Sequence, residues 1–218
     1  FYNCRKLKKL SVGTAISGIG SDEFMNDSQL EHLIIRGKDS EATGLPLILE
    51  RIAENITVSF CPDSSSSPES IVFFPEYYEW LDEISPAHIF SRSIHGEGFR
   101  MRKSFENGIL NYRKYDSCLE NALTVESPES LCKIALNRLR WPSRLEDIFR
   151  EKYENVIKKY MGTAFTLAVK DQDFPMLQFI CEHFSPDASA LASAIDQCIE
   201  KEWGEGNAFK FIDRKSVV

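Results

Sequence analysis

The sequence has no apolar run approaching the roughly 18 to 20 residues that a bilayer-spanning helix needs, and its opening FYNCRKLKKLSVG has no signal-peptide core. Neither a membrane span nor export is expected, and the expected location is intracellular, in the cytoplasm. Paired CxxC spacings are missing as well. Cys4, Cys61, Cys118, Cys132, Cys181 and Cys198 are scattered along the chain, which favours reduced thiols over a disulfide framework or a zinc site. His32, His88, His95 and His183 show no metal-ligand spacing. There is no Gly-x-Ser-x-Gly and no P-loop, and Gly18-Ile-Gly20 lacks the third glycine of a dinucleotide fingerprint. No cofactor and no metal is therefore expected. A basic stripe with interleaved aromatics is also lacking. With a formal charge of −7 and a pI near 5.2, the chain suits a protein partner better than nucleic acid.

What the chain does have is length and apolar content. With 218 residues, 43% of them hydrophobic, it can bury a sizeable core as one domain or two small ones. It starts at Phe1 without a methionine and stops at Lys215-Ser-Val-Val218, so it is read as a fragment. Residues 1 to 60 read as helical: Leu30, Leu33 and Ile34, then Leu47, Ile48, Leu49 and Ile52, recur at i, i+3, i+4 intervals, with Gly37 and Gly44 as punctuation. The Ser/Pro-rich stretch 61 to 70 reads as a solvated loop. Residues 71 to 126 are expected to be mostly helical. Within them IVFF at 71 to 74 suits either a short strand or a buried helix start, and PEYYEWLDEI at 75 to 84 reads as a helix opened by Pro75. His95-Gly-Glu-Gly98 reads as a turn before a solvated basic face, Phe99 to Lys103.

Signals are stronger from Ser127 onward. Ser127 can cap a helix with Pro128 at its first position, and Leu131, Cys132, Ala135, Leu136 and Leu139 share one apolar face. A second helix is expected from Pro142-Ser143, where Ser143 and Glu146 have capping-box spacing, with a break near Tyr153.

The same stretch, 127 to 161, resembles a SOCS box. The likeness rests on Ser127, Leu131-Cys132, Leu136, Arg144-Leu145, Ile148, Ile157 and Tyr160-Met161 in one ungapped register; Pro128 and Glu151-Lys-Tyr-Glu154 depart from the pattern. The resemblance implies a helical adaptor that recruits Elongin B and Elongin C, and through them a cullin, to form the substrate receptor of a ubiquitin ligase. It implies Elongin C contacts by Ser127, Leu131, Cys132 and Leu136, and cullin-side contacts by Ile157 and Tyr160.

Residues 163 to 185 are similar to a degenerate ankyrin repeat. Thr163, Phe165, Leu167 and Ala168 fall in its first helix and Met176, Leu177, Ile180 and Cys181 in its second, around an Asp171-Gln-Asp173 turn; Gln172 stands where the family has glycine. Weaker copies are read at 14 to 39 and from Thr43. Two such helices cannot bury their faces alone, and stacked neighbours create the concave surface that binds a target. Residues 162 to 218 are read as this repeat followed by the start of a further helical unit.

The expected fold is thus all-α, made of ankyrin-like helical hairpins with a SOCS-box-like segment, and the expected function is an adaptor that presents a bound protein target for ubiquitination. A plain helical-repeat scaffold, with 127 to 161 serving only as packing, is the alternative. An enzyme would have to draw on Cys61 or Cys118 with His88 or His95. Adaptor and scaffold are separated by one property: whether the face of Leu131, Cys132 and Leu136 is covered or open.

Overall fold

A computed structural model describes residues 1–63, 65, 67–84, 89–200 and 212. They form two compact units, the first of residues 1–126 and 141–146, the second of 127–140 and 147 onward. The all-α expectation is overturned: the first unit is built on strands.

In that unit β1 (Lys9–Gly13) and β2 (His32–Arg36) lie parallel; α1 (Leu45–Leu49) then leads to β3 (Ile56–Phe60), parallel to β2, and β4 (Ser70–Phe74) returns antiparallel. The sheet order is β1-β2-β3-β4. Its register aligns Leu10, Leu33, Val58 and Val72 in one row across all four strands, and all four are buried. The reason the helical reading of 1 to 60 fails lies here. Leu30, Leu33 and Ile34 do fit a helical stripe, but Leu33 and Ile35 are buried while His32 and Arg36 are exposed, which is the period of two that a strand requires. Both Ile residues are β-branched and stiff at χ1, which favours the pleated conformation. The stripe at Leu47 to Ile52 yields only the five-residue α1, which buries Leu45, Ile48 and Leu49. The repeat-like stretch at 14 to 39 therefore holds β2, and Thr43 precedes α1.

The expected helix at 75 to 84 is also a strand. β5 (Tyr78–Ile84) pairs antiparallel with β6 (Ile89–His95) as a separate two-stranded ribbon. Pro75 ends β4's run instead of opening a helix, and Tyr78, Trp80 and Ile84 are residues that strands favour. α2 (Gly98–Arg102) follows, then the short pair β7 (Phe105–Glu106) and β8 (Ile109–Leu110). The turn between them is Asn107-Gly108, both with positive φ, the dipeptide and conformation of a type I′ hairpin. α3 (Tyr112–Ser117), capped by Asn111 accepting from the Lys114 amide at 3.0 Å, and α4 (Leu119–Val125) complete the continuous part of this unit.

Arg102 lies at the junction of these pieces. The basic run 99 to 103 was expected to be solvated, yet Arg102 is only 4% exposed. Its guanidinium donates to the carbonyls of Ile52 (3.0 Å), Glu54 (2.6 Å), Pro75 (2.5 Å) and Gly98 (3.0 Å), and lies 5.2 Å from the Tyr77 ring centre. Five planar donors suit this task, since a forked cation can gather carbonyls that converge from several directions. Burial pulls its pKa down to about 10, so it stays charged at neutral pH.

Residues 141–146 add a clasp to the same unit. Ser143 does not cap a helix: its hydroxyl donates to Oδ2 of buried Asp39 at 2.5 Å, and the Tyr112 hydroxyl donates to the same oxygen at 2.8 Å. Arg144, in the left-handed region at φ 48°, brings Nη2 to 3.6 Å from Asp39 Oδ1.

The second unit is helical: α5 (Pro128–Arg140), α6 (Asp147–Lys159), α7 (Met161–Lys170), α8 (Phe174–Phe184) and α9 (Ala188–Glu200). α5 packs on α6 and α7, and α7 on α8 and α9. α6 runs unbroken through Tyr153, which is fully buried. The α7–α8 hairpin turns at Asp171 to Asp173, where Gln172 takes φ 51° and Asp173 caps α8 by accepting from the Met176 amide at 2.8 Å. Arg140 on α5 pairs with Asp173 at 2.9 Å and fixes that turn. Among the described residues, no helix is long and apolar enough to cross a membrane.

Replacing Arg102 by Leu strands four carbonyls and should cost about 3 to 5 kcal/mol, because a buried polar group left unpaired forfeits its hydration as well. Urea unfolding followed by circular dichroism measures this, and Arg102→Lys should fall between the two, since an ammonium can reach only some of the carbonyls.

Candidate functional site

The residues singled out in α5 are turned inward. Leu131 and Leu136 are 1% exposed and Cys132 is 0% exposed. The Cys132 thiol lies 3.7 Å from the Tyr160 carbonyl, and burial pushes its pKa up to about 12. Ile157 is buried on α6 and Tyr160 is half-buried. Ser127 is exposed and caps α5, accepting from the Ser130 amide at 3.1 Å. The structure therefore gathers Leu131, Cys132, Leu136 and Ile157 into packed surface and leaves Ser127 as a cap.

Two of the cysteine and histidine candidates, Cys118 and His95, are engaged in contacts of their own. Cys118 is buried, its thiol contacts the Lys114 carbonyl at 3.4 Å, and burial together with the nearby Glu97 carboxylate pushes it up to about 11, opposite to the activation a nucleophile needs. His95 stacks on Tyr78 with ring centres 4.8 Å apart. Cys61 is half-buried just after β3, and His88 lies outside the described residues. Beside Cys118, the Glu97 carboxylate is buried, accepts from Asn121, and lies 3.4 Å from Arg100. Glu97 Oε1 makes no hydrogen bond, so that contact to Arg100 is one of charge. Glu126 Oε1 accepts from the Glu97 amide at 2.7 Å. Burial, then the Glu97 and Glu76 carboxylates, hold Glu126 above the ordinary glutamate range.

A cleft of about 450 Å³ lies in the first unit, lined by Glu106, Tyr112, Arg113, Arg144 and Glu146 among others. Its charges are already matched: Arg113 sits 3.6 Å from Glu146, Lys114 pairs with Glu106, and Arg144 faces Asp39. It reads as a paired polar surface rather than a site poised for charge.

The surface that does stand out is the β5–β6 ribbon. Tyr78 (58%), Trp80 (55%), Leu81 (65%) and Phe90 (67%) are exposed, and Ile94 joins them. Alternation along the strands and the register Leu81↔Arg92 and Trp80↔Ser93 define two faces. One carries Tyr78, Trp80 and Asp82 with Ser91, Ser93 and His95. The other carries Leu81, Phe90 and Ile94 among Glu79, Glu83 and Arg92. Internal contacts give the ribbon its shape: Tyr78 stacks on His95, the Trp80 indole donates to Asp82 at 2.5 Å, and Arg92 pairs with Glu79 across the strands.

The base of the ribbon is held by tight backbone approaches. A Cβ on Gly98 would lie 1.9 Å from the Pro75 carbonyl oxygen, and one on Gly96, at φ 90°, would lie 2.6 Å from that of Glu76. The Tyr77 amide donates to Ala53 at 3.0 Å, and the Tyr77 and Phe99 rings meet edge to face. Reading 75 to 84 as a helix hid this surface; the aromatic and β-branched residues Tyr78, Trp80 and Ile84 were the signal available for a strand.

No protein-family model matches the chain, and comparison with curated proteins and with solved structures finds no match.

The raised Glu126 sets a pH dependence. Its folded form holds a proton more readily than its unfolded form, so its contribution favours the fold at low pH and is lost as pH rises through and above the ordinary glutamate range. Glu126→Gln keeps an oxygen for the Glu97 amide and removes the charge. The difference in urea midpoint, variant minus wild type, should grow more positive from acid to neutral pH; a flat difference would contradict the assignment.

Proposed function

We propose that this chain is a protein-binding module whose contact surface is the β5–β6 ribbon. One observation carries the reading: large apolar side chains are exposed on both faces of a two-stranded sheet, while the helical faces that sequence reasoning favoured are buried. A lone hairpin is marginally stable in water, and clustered exposed apolar side chains are a usual mark of an interaction surface. Aromatic anchors such as Trp80 and Tyr78 are the residue types that dominate interface energetics.

The module shares with the helical-repeat scaffold alternative only the absence of a ligase link, since the surface here is a strand pair and not the groove of a helical repeat. A ligase-recruiting role would use Leu131, Cys132 and Leu136 as contacts, and their burial supports packing instead. Leu131→Asp should therefore cost about 3 to 5 kcal/mol of stability, from a lost core leucine and a buried charge, and co-purification with Elongin B and C should be absent already in the wild type.

The ribbon reading is tested with Trp80→Ser, Leu81→Ser and Phe90→Ser combined. Because these side chains are exposed, the unfolding midpoint should shift little. A photo-crosslinking residue at position 80 should give adducts in cells that the same residue at exposed Leu123 does not, and adding Leu81→Ser and Phe90→Ser should abolish them. Equal adducts at positions 80 and 123, or adducts indifferent to the serine changes, would sink the reading.

A further inference from the structure

We infer that the partner is an extended, basic segment of another protein that adds as a third strand along the outer edge of β5. This rests on the ribbon being the contact surface. The sheet of β5 and β6 has two strands, so among the described residues no strand lies on the far side of either. Seven consecutive pairs run from Tyr78↔His95 to Ile84↔Ile89, and in an antiparallel ladder alternate amides and carbonyls of β5 point away from β6. An edge of that length without a proline or bulge is a ready template for an added strand.

Charge selects both the edge and the occupant. β5 carries three exposed carboxylates, Glu79, Asp82 and Glu83, and no cation, whereas β6 carries Arg92 and no carboxylate. Directly opposed side chains on neighbouring strands attract or repel strongly enough to choose partners. A strand laid against β5 would place residues opposite Glu79, Leu81 and Glu83 on one face, and opposite Trp80 and Asp82 on the other. Lysine or arginine opposite the carboxylates, with an apolar residue opposite Leu81 and Trp80, completes both faces. A second copy of this chain pairing β5 to β5 would set carboxylates against carboxylates, which disfavours self-association. The acidic edge thus also disfavours acidic strands.

The probes are two nine-residue peptides, one with lysine at the positions that fall opposite Glu79, Asp82 and Glu83 and valine opposite Trp80 and Leu81, the other with glutamate in place of each of those lysines, titrated calorimetrically against the full chain. The lysine peptide should bind at least tenfold more tightly, weaken as salt is raised, and slow hydrogen exchange at alternate amides of β5. A paired exchange, Glu79→Lys with Arg92→Glu, keeps the cross-strand ion pair and the ribbon's total charge while making β5 less acidic. It should weaken the lysine peptide about fivefold, with circular dichroism unchanged, as expected for an opposed pair turned from attractive to repulsive. Equal affinity for the two peptides, no binding of either at millimolar concentration, or a chain that dimerises through the ribbon would overturn the proposal. New exchange protection on β6, or tighter binding by the swapped variant, would overturn the choice of edge while leaving the ribbon as the contact surface.

Discussion

Arg102 is the constraint on which the sheet unit depends. Four carbonyls converge on one guanidinium, and they come from the chain before β3, from the end of β4, and from the first turn of α2. An ordinary core seals such a junction with apolar side chains, which cannot satisfy backbone acceptors; a cation with several donors can, and the cost of burying it is offset by the bonds it makes. Tyr77 and Phe74 present their rings to the same cation. The two strands of the ribbon leave and re-enter the unit here, through Pro75 and Gly98, whose backbones are too close for any side chain on the glycine. The exposed aromatic surface is consequently rooted beside the four hydrogen bonds of buried Arg102.

Core and surface divide the work in opposite senses. In the helical unit, apolar stripes meet one another: α5 covers its Leu131, Cys132 and Leu136 face, and the α7–α8 turn is closed by a cap, a left-handed Gln172 and the Arg140 to Asp173 ion pair. In the ribbon, side chains of equal apolar size meet solvent on both faces. The α5 face is buried, while Trp80 and Leu81 are more than half exposed.

The helices beyond Ser127 were legible in the sequence because they are long enough for a period to declare itself and because Ser127 and Asp173 are capping residues with helical signals behind them. The strands were not. Five residues from His32 to Arg36 satisfy a period of two and a period of 3.6 equally well until their neighbours are known, and the parallel pairing of β1, β2 and β3 joins segments more than twenty residues apart. Pro75 misled because proline opens helices and ends strands alike. Arg102 was hidden for a similar reason: Phe99 to Lys103 looks like a solvated basic turn, and the carbonyls that draw Arg102 inward lie up to 50 residues away. Asn107-Gly108 was a readable hairpin signal. The exposed surface of the ribbon could not have been found from composition, since exposure of Trp80 depends on what fails to cover it.

The clasp on Asp39 has a consequence for how the molecule comes into being. The sheet unit is discontinuous in the chain: residues 141–146 belong to it, although α5 lies between them and residue 126. Ser143 and Arg144 reach an aspartate 104 and 105 positions earlier. A ribosome releasing this protein must therefore deliver the first helix of the second unit before the first can close, and no single cut in the chain separates the two intact.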